Sequence, residues 1–442
     1  MTKKVLILGA GLVVRPIVHY LLKHNYHVTV ASLIASQAEN VVKNQPNGIA
    51  KQLDVVQEPE KLASEVSQHD IIVSLLPAIY HVQVAKVCLQ YKKSLVTASY
   101  ISPAMQELHE QALESNLLFL NECGLDPGLD HMGAMKTIHE VQKKGGKVVG
   151  YSSYCGGLPA LASNNNPFQY KFSWSPVGVV KAAKNGARFL RNNEIVEIPA
   201  DELFENYEFV EIPNCGTFEG YPNRNSLDYI KKYNLDGIRD MFRGTLRNIG
   251  HCETWRYFVR LGILQDEKKY DFTKISPAEV ICELIGKEKS EDLFQDVADF
   301  LKIEKFSVTL HKLQWLGFFS YEKPKLTQGS VMDLFVHLLE EKLPLLPSDA
   351  DLVILQHEFT VEYPDKKEKI ISTLIDQGTP HGDTSMARTV SLPVAIATRM
   401  ILEGKITLKG VHMPDDPNIY EPILQELAEN NIQMQEKIIP LT

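Results

Sequence analysis

Along the first third of the chain, short apolar runs alternate with stretches whose apolar residues recur at helical spacing. Val5-Leu8, His27-Ala31, Ile49-Val55, Asp70-Leu75, Leu95-Ala98 and Leu117-Glu122 read as six strands. The fourth is almost continuously apolar, as a strand covered on both faces must be. Pro16-Lys23 and about Ala35-Lys43 read as helices between them. Ser102 suits an N-cap and Pro103 the first helical position, opening a helix to about Ser115. Strands alternating with helices in this way predict an α/β fold with a doubly wound parallel sheet.

After Pro127 the pattern changes. Leu129-Gln142 reads as a helix, and Val148-Cys155, Ile195-Ile198 and Phe209-Ile212 as strands, which predicts a second, mixed α/β domain. Helical periodicity dominates from Leu235 to Lys342, the mark of a helical insertion. Leu352-Tyr363 and Lys367-Leu374 read as a hairpin turning near Pro364-Asp365. Ser385-Leu402 is a long helix, and Ile406-Leu408 with Tyr420-Glu429 supply a further short strand and helix. The expected organisation is a dinucleotide-binding domain over 1–127 and about 392–442. A substrate-binding domain covers 128–234 and 343–391, and the insertion covers 235–342.

Composition narrows the function. The 442 residues carry a net charge of -9, whereas a nucleic-acid binder needs a basic face. The apolar start is broken by Gly9 and Gly11 and closed by Arg15, so it reads as a buried strand rather than a signal peptide. The uncharged stretch Ile71 to Ala85 contains Pro77, His81 and Gln83 and is too short and polar to span a bilayer. Six scattered cysteines, at 88, 123, 155, 215, 252 and 282, form no Cys-x-x-Cys pair, so reduced thiols in the cytoplasm are expected, with neither a disulfide framework nor a zinc site.

Gly9-Ala10-Gly11-Leu12-Val13-Val14 follows a strand and opens a helix, the context of a Rossmann dinucleotide site. The glycines permit the tight turn and the close approach of a pyrophosphate to a helix N-terminus. Val14 replaces the third glycine of the usual pattern. The end of the second strand, Ser32-Leu33-Ile34, has neither the acid expected for NAD nor a base for NADP, so the cofactor is read as NAD(P). Leu76-Pro77 and Ser99-Tyr100 end later strands and are expected to line the nicotinamide half of the crevice. In Gly124-Leu125-Asp126-Pro127-Gly128-Leu129-Asp130-His131, Asp130 suits the first turn of a helix better than a metal site. Asp126 is the better functional candidate, suited to a substrate ammonium. Arg224 lies in a Gly/Pro/Asn loop, and Arg243 and Arg247, four apart, would share a helix face. Guanidinium groups bind carboxylates bidentately.

These landmarks, with Ser153-Tyr154-Cys155-Gly156-Gly157-Leu158-Pro159, the Asn165–Pro176 stretch, Glu219–Arg224 and Gly244–Arg247, resemble the glutamate-forming saccharopine dehydrogenase family over nearly the whole chain. The resemblance implies NAD(P)-dependent oxidation of the secondary amine of saccharopine to glutamate and 2-aminoadipate 6-semialdehyde, or the reverse condensation. It implies Leu12, Val13, Val14 and Arg15 at the pyrophosphate, Ser32 and Leu33 at the adenosine ribose, and Asp54 and Val55 near adenine. Leu76, Ala98, Ser99, Leu125, Asp126, Pro127 and Ser175 complete the cofactor contacts. Ser99, Tyr100, Asp126, Arg224, Thr245, Leu246 and Arg247 bind saccharopine, and Tyr100, Asp126 and Cys155 are the candidate catalytic groups. The general base and the flux direction stay open, and a homodimer is in keeping with the family. Some relatives fuse a lysine-ketoglutarate reductase ahead of this module, which here is expected as a separate polypeptide. The alternatives are a carboxyspermidine- or homospermidine-type amine dehydrogenase and a non-catalytic NAD(P)-binding scaffold.

Overall fold

The computed structural model describes residues 2–441, which divide into two compact units, 2–148 with 360–441 and 149–359. In chain order the first unit opens with β1 (Lys4–Leu8), α1 (Arg15–Lys23), β2 (His27–Ser32), α2 (Ala35–Val42) and β3 (Gly48–Gln52). It continues through α3 (Pro59–Gln68), β4 (Ile71–Ser74), α4 (His81–Tyr91), β5 (Ser94–Thr97), α5 (Pro103–Gln106), α6 (His109–Glu114), β6 (Leu118–Leu120) and α7 (Leu129–Lys143). The single helix expected from Pro103 to Ser115 is two short ones, the first capped by Ser102, whose hydroxyl accepts from the Met105 N–H.

The chain then builds β7 (Lys147–Pro159), α8 (Pro176–Ala182), β8 (Ala187–Arg191), β9 (Glu194–Ile198), β10 (Glu208–Ile212) and β11 (Gly216–Pro222). Next come α9 (Asp228–Lys232), β12 (Asp240–Arg247), α10 (His251–Leu261), the short β13 (Tyr270–Asp271), α11 (Pro277–Leu284), α12 (Leu293–Leu301) and α13 (Val308–Leu316). After β14 (Gln328–Gly329) and α14 (Val331–Lys342), β15 (Asp351–Glu362) and β16 (Lys367–Gln377) form the expected hairpin, its turn closed by Tyr363 N–H donating to the Lys366 carbonyl at 2.8 Å. The tail is α15 (Ser385–Leu402), β17 (Gly410–His412), α16 (Pro417–Glu429) and β18 (Gln435–Leu441).

In the first unit, seven strands lie in the order β17-β6-β5-β4-β1-β2-β3, and every observed pair is parallel. The strand order reverses between β1 and β4, the switch point where such sheets bind ligands. The tail returns here, as expected, but its strand is Gly410–His412 rather than 406–408, pairing with β6. Helix α7 also belongs to this unit: His139 Nδ1 lies 2.7 Å from the Tyr420 hydroxyl on α16. β18 pairs antiparallel with β16 in the same unit. These attachments move the boundaries from those expected at 127 and 392 to 148 and 360.

In the second unit, β10-β11-β12-β7 run side by side, β12 antiparallel to β11 and parallel to β7. β12 falls inside the segment expected to be a helical insertion, which is therefore interrupted by a central strand. Nor do the helices form a body apart. Their core, including Phe258, Val297, Leu313 and Phe335, is continuous with Phe168, Tyr170 and Phe172 from the stretch before α8. The aromatic residues Phe168, Tyr170 and Phe172 are thus core. The Asn166 amide donates to the Tyr170 carbonyl at 2.9 Å, and Lys171 pairs with Asp349 at 2.7 Å.

Candidate functional site

Parallel strands end together, so the segments after β1, β2, β4, β5 and β6 gather at one edge of the first sheet. Gly9 opens this edge with φ +104, a conformation an L side chain rarely adopts, and its N–H donates to the Ala31 carbonyl at 2.8 Å. A Cβ there would sit 2.8 Å from the Leu75 carbonyl oxygen, so the turn needs glycine to pass β4. A Cβ at Gly11 would meet nothing within 4 Å, leaving an open approach to the first turn of α1. That turn has no side-chain cap, and its N–H groups are available to an anion. These features fit a dinucleotide pyrophosphate.

Leu12 and Leu33 are exposed and Val14 is fully buried. Arg15 donates through Nε to Asp383 at 2.6 Å. Ser32 is buried, its Oγ 3.4 Å from the Ile34 N–H. The Asp54 carboxylate accepts from the N–H groups of Val56 and Gln57 at 2.9 and 3.0 Å, so it builds the turn after β3 in which Val55 is buried. Leu76 is half-buried and packs on the core under the sheet. Gly124 lets the loop after β6 close on the end of β5, for a Cβ there would lie 2.9 Å from that of Ala98. Leu125 is buried in this loop, and the Asp126–Pro127 bond is cis.

The same edge carries a hydrogen-bonded pair. The Tyr100 hydroxyl donates to Asp126 Oδ1 at 2.8 Å. A phenol held on a carboxylate can pass a proton, and the carboxylate can meet an ammonium. Beside them stands a group that the sequence reading used only to exclude a membrane span. His81 is buried, with Nδ1 2.9 Å from Ser74 Oγ and Nε2 2.8 Å from Ser99 Oγ and 3.1 Å from Thr97 Oγ1. Burial lowers its pKa to about 4, so the ring is neutral near pH 7 and fixes the Ser99 hydroxyl.

The second unit supplies a sheet with unlike faces. Tyr221 pairs with Thr245, Glu219 with Arg247, Arg243 with Ser153 and Thr245 with Cys155. Paired residues share a face, so Glu219, Tyr221, Arg243, Thr245, Arg247, Ser153 and Cys155 lie on one side. The opposite face is apolar, with Tyr154, Phe218, Phe242 and Leu246 in one cluster. Arg243 and Arg247 do share a face, but of a strand rather than the helix expected. Leu246, expected at the substrate, points its side chain into the apolar core. Gly156 makes the pairing possible: a Cβ there would meet Leu246 at 2.8 Å. The strand expected to end at Cys155 accordingly runs on to Pro159.

The Arg247 guanidinium is buried, its NH1 donating to the Leu246 carbonyl at 2.8 Å while Nε has no protein partner. Its guanidinium carbon lies 5.1 Å from the Tyr170 ring centroid. Nearby phenols at Tyr221 and Tyr170 raise its pKa against the opposing effect of burial, so it stays cationic. Glu219 accepts from the N–H groups of Gly250 and Cys252 at 2.8 and 2.7 Å, anchoring the N-terminus of α10. Arg224 is exposed, with φ 55 just past β11. Ser175 caps α8 through Gly178 N–H at 3.1 Å.

A glycine turn at the switch point of a parallel sheet, with hydroxyls and an acid along the same edge, defines a nicotinamide-dinucleotide oxidoreductase fold. Two family profiles match in succession: the saccharopine dehydrogenase NADP binding domain over residues 5–120 and the saccharopine dehydrogenase C-terminal domain over 124–432. The chain belongs to the saccharopine dehydrogenase family. It is 38% identical over 446 residues to saccharopine dehydrogenase (NADP(+), L-glutamate-forming) of Schizosaccharomyces pombe, covering 98% of this chain and 99% of that protein. It is 36% identical to the mitochondrial alpha-aminoadipic semialdehyde synthase of Bos taurus, covering 97% of this chain and 47% of that one. The apo L-glutamate-forming saccharopine dehydrogenase of Saccharomyces cerevisiae superposes with a TM-score of 0.88 at 35% identity, covering 99% of this chain and 100% of that one.

Proposed function

We propose that this protein oxidises saccharopine to L-glutamate and 2-aminoadipate 6-semialdehyde with NADP(+), or runs the reverse condensation, within lysine metabolism. The bound nicotinamide supplies a hydride acceptor in the oxidative direction. The carbon–nitrogen bond left behind is an imine, and water cleaves it to the amine of glutamate and the aldehyde. The backbone at Gly9, Gly11 and the first turn of α1 would hold the pyrophosphate, with Ser32 and Leu33 at the adenosine ribose and Leu76 and Ala98 toward the nicotinamide. The chain's own groups supply the rest. Arg247 and Arg224 neutralise substrate carboxylates, Asp126 accepts the substrate ammonium, and Tyr100 moves a proton at its hydroxyl oxygen with Asp126 as its partner. Ser99, oriented by His81, and Thr245 give the polar contacts, and Cys155 supplies a buried thiol on the polar sheet face.

The observation that carries the substrate assignment is the buried Arg247 guanidinium with an unpartnered Nε. A buried cation left short of a hydrogen bond is costly, and a carboxylate ligand meets both needs. Saccharopine has three carboxylates to offer, whereas an amine of the homospermidine type has none. Assay with saccharopine, carboxyspermidine and homospermidine, each with NAD and NADP, tests the reading. Saccharopine-dependent NADPH formation supports it, turnover of the polyamine alone replaces it, and cofactor binding without turnover of any of the three leaves a scaffold.

The same reading takes the protein as a homodimer of the cytoplasm. Support comes from the edge strand β18, which exposes Ile438 and Leu441, and from six free cysteines. No helix among the described residues is long and apolar enough to cross a membrane. Sedimentation at micromolar concentration distinguishes dimer from monomer.

A further inference from the structure

Three side chains of the first unit are fully buried, yet they are polar. Glu122, Asp130 and His131 are each 0% exposed. Glu122 follows β6 with φ 53, a left-handed conformation that turns its N–H back toward β5. That N–H donates to the Ser99 carbonyl at 3.0 Å, while its Oε1 accepts from the Ile101 N–H at 3.0 Å. One residue therefore grips the main chain on both sides of Tyr100.

Its second oxygen is also engaged. Glu122 Oε2 lies 2.7 Å from His131 Nε2, and His131 Nδ1 lies 3.5 Å from Asp130 Oδ2. Asp130 Oδ1 accepts from the Gly128 N–H at 2.6 Å, at the end of the loop that carries Asp126. That loop is tightly closed. Gly124 donates to the Pro127 carbonyl at 2.9 Å, and a Cβ on Gly128 would collide with the Gly124 backbone. The three side chains thus join the main chain around Tyr100 to the loop of its partner Asp126.

We propose that the buried Glu122–His131–Asp130 chain is a positioning device that sets the Tyr100–Asp126 hydrogen bond in the geometry the reaction needs. It rests on the reading of Tyr100 and Asp126 as substrate groups given above. A carboxylate suits the Glu122 position because it only accepts, and it must take an N–H at Ile101 while facing an imidazole. An amide can turn a donor toward Ile101 and release the segment. Displacement of a reacting group by a fraction of its contact distance costs turnover well before it costs the fold.

The test is a double-mutant cycle on the full chain: wild type, Glu122→Gln, Tyr100→Phe and the double variant. Thermal midpoint, NADP affinity and the saccharopine kcat and KM are read for each. The expected result is a kcat lower by about tenfold in Glu122→Gln with NADP affinity kept, shrinking to less than about twofold once Tyr100 is Phe. The same loss in both backgrounds, or a fall in thermal midpoint with kcat unchanged, overturns the inference and leaves a structural buried pair. If Glu122→Gln does not accumulate folded, the cycle is run with His131→Gln, and the two outcomes are read in the same way. Wild type that fails to turn over saccharopine overturns the functional reading instead, so the two failures are distinguishable.

Discussion

The hydroxyl of Tyr100 donates to Asp126 Oδ1 at 2.8 Å across 26 residues of sequence. One group follows β5 and the other follows β6, so neighbouring parallel strands bring them together. On this account Tyr100→Phe lowers saccharopine turnover by roughly tenfold or more while NADP affinity holds, because proton transfer is impaired and the pyrophosphate turn is untouched. Initial rates and a cofactor titration check it. Equal kcat for variant and wild type removes Tyr100 from the chemistry.

Arg247 is expected to report on substrate alone. Arg247→Met should raise the saccharopine KM by about 30-fold or more, the consequence of losing about 2 kcal/mol or more from a buried charge contact. The KM for NADP should move by less than about twofold, since no step of its binding uses this face. Arg224→Met should act in the same direction. A saccharopine KM unchanged in both variants removes the carboxylate assignment.

Gly9 tests the cofactor turn. Gly9→Ala places a side chain at φ +104 and against the Leu75 carbonyl oxygen, so the turn must shift. A loss of about 1–3 kcal/mol in stability is expected, together with a weakened dinucleotide titration. Full NADP affinity in the variant contradicts the assignment of this turn to the pyrophosphate.

His81 gives a pH signature. Its folded pKa, near 4, lies below the ordinary 6.5 because the ring is buried. The unfolded chain therefore binds the extra proton first as pH falls. Stability from the neutral ring is fully present above about 6.5 and is lost as pH falls toward 4, by about 3 kcal/mol in all. Denaturant unfolding at several pH values should show His81→Asn losing less stability over this window than wild type. Parallel curves contradict it. The variant should also raise the saccharopine KM, since Ser99 loses its imidazole hydrogen-bond partner.

What was legible in the sequence was what is local in it. The turn at Gly9 and Gly11 is written in six consecutive residues, and β1, β4 and β6 each carry their own apolar run. The cap at Ser102 and the long helix from Ser385 stand as expected for the same reason. The errors arose where one spacing serves two structures. Residues 243 and 247 share a face whether the period is 3.6 or 2, and the strand reading was missed because Gly244 interrupts the alternation. Strands β11, β8 and β18 and helices α3 and α4 were not anticipated either. The polar face of the second sheet depends on register between β7, β11 and β12, which no single segment encodes. His81 was seen only as a polar residue in an apolar stretch, because its partners Ser74, Thr97 and Ser99 come from the ends of two other elements.

The central claim is that a tricarboxylate secondary amine is the reductant of the dinucleotide. Purified protein mixed with saccharopine and NADP should form NADPH and release glutamate in equal amounts, with both products lost in Arg247→Met at low substrate. NADPH formation without glutamate, or neither product from folded protein that binds NADP, contradicts it.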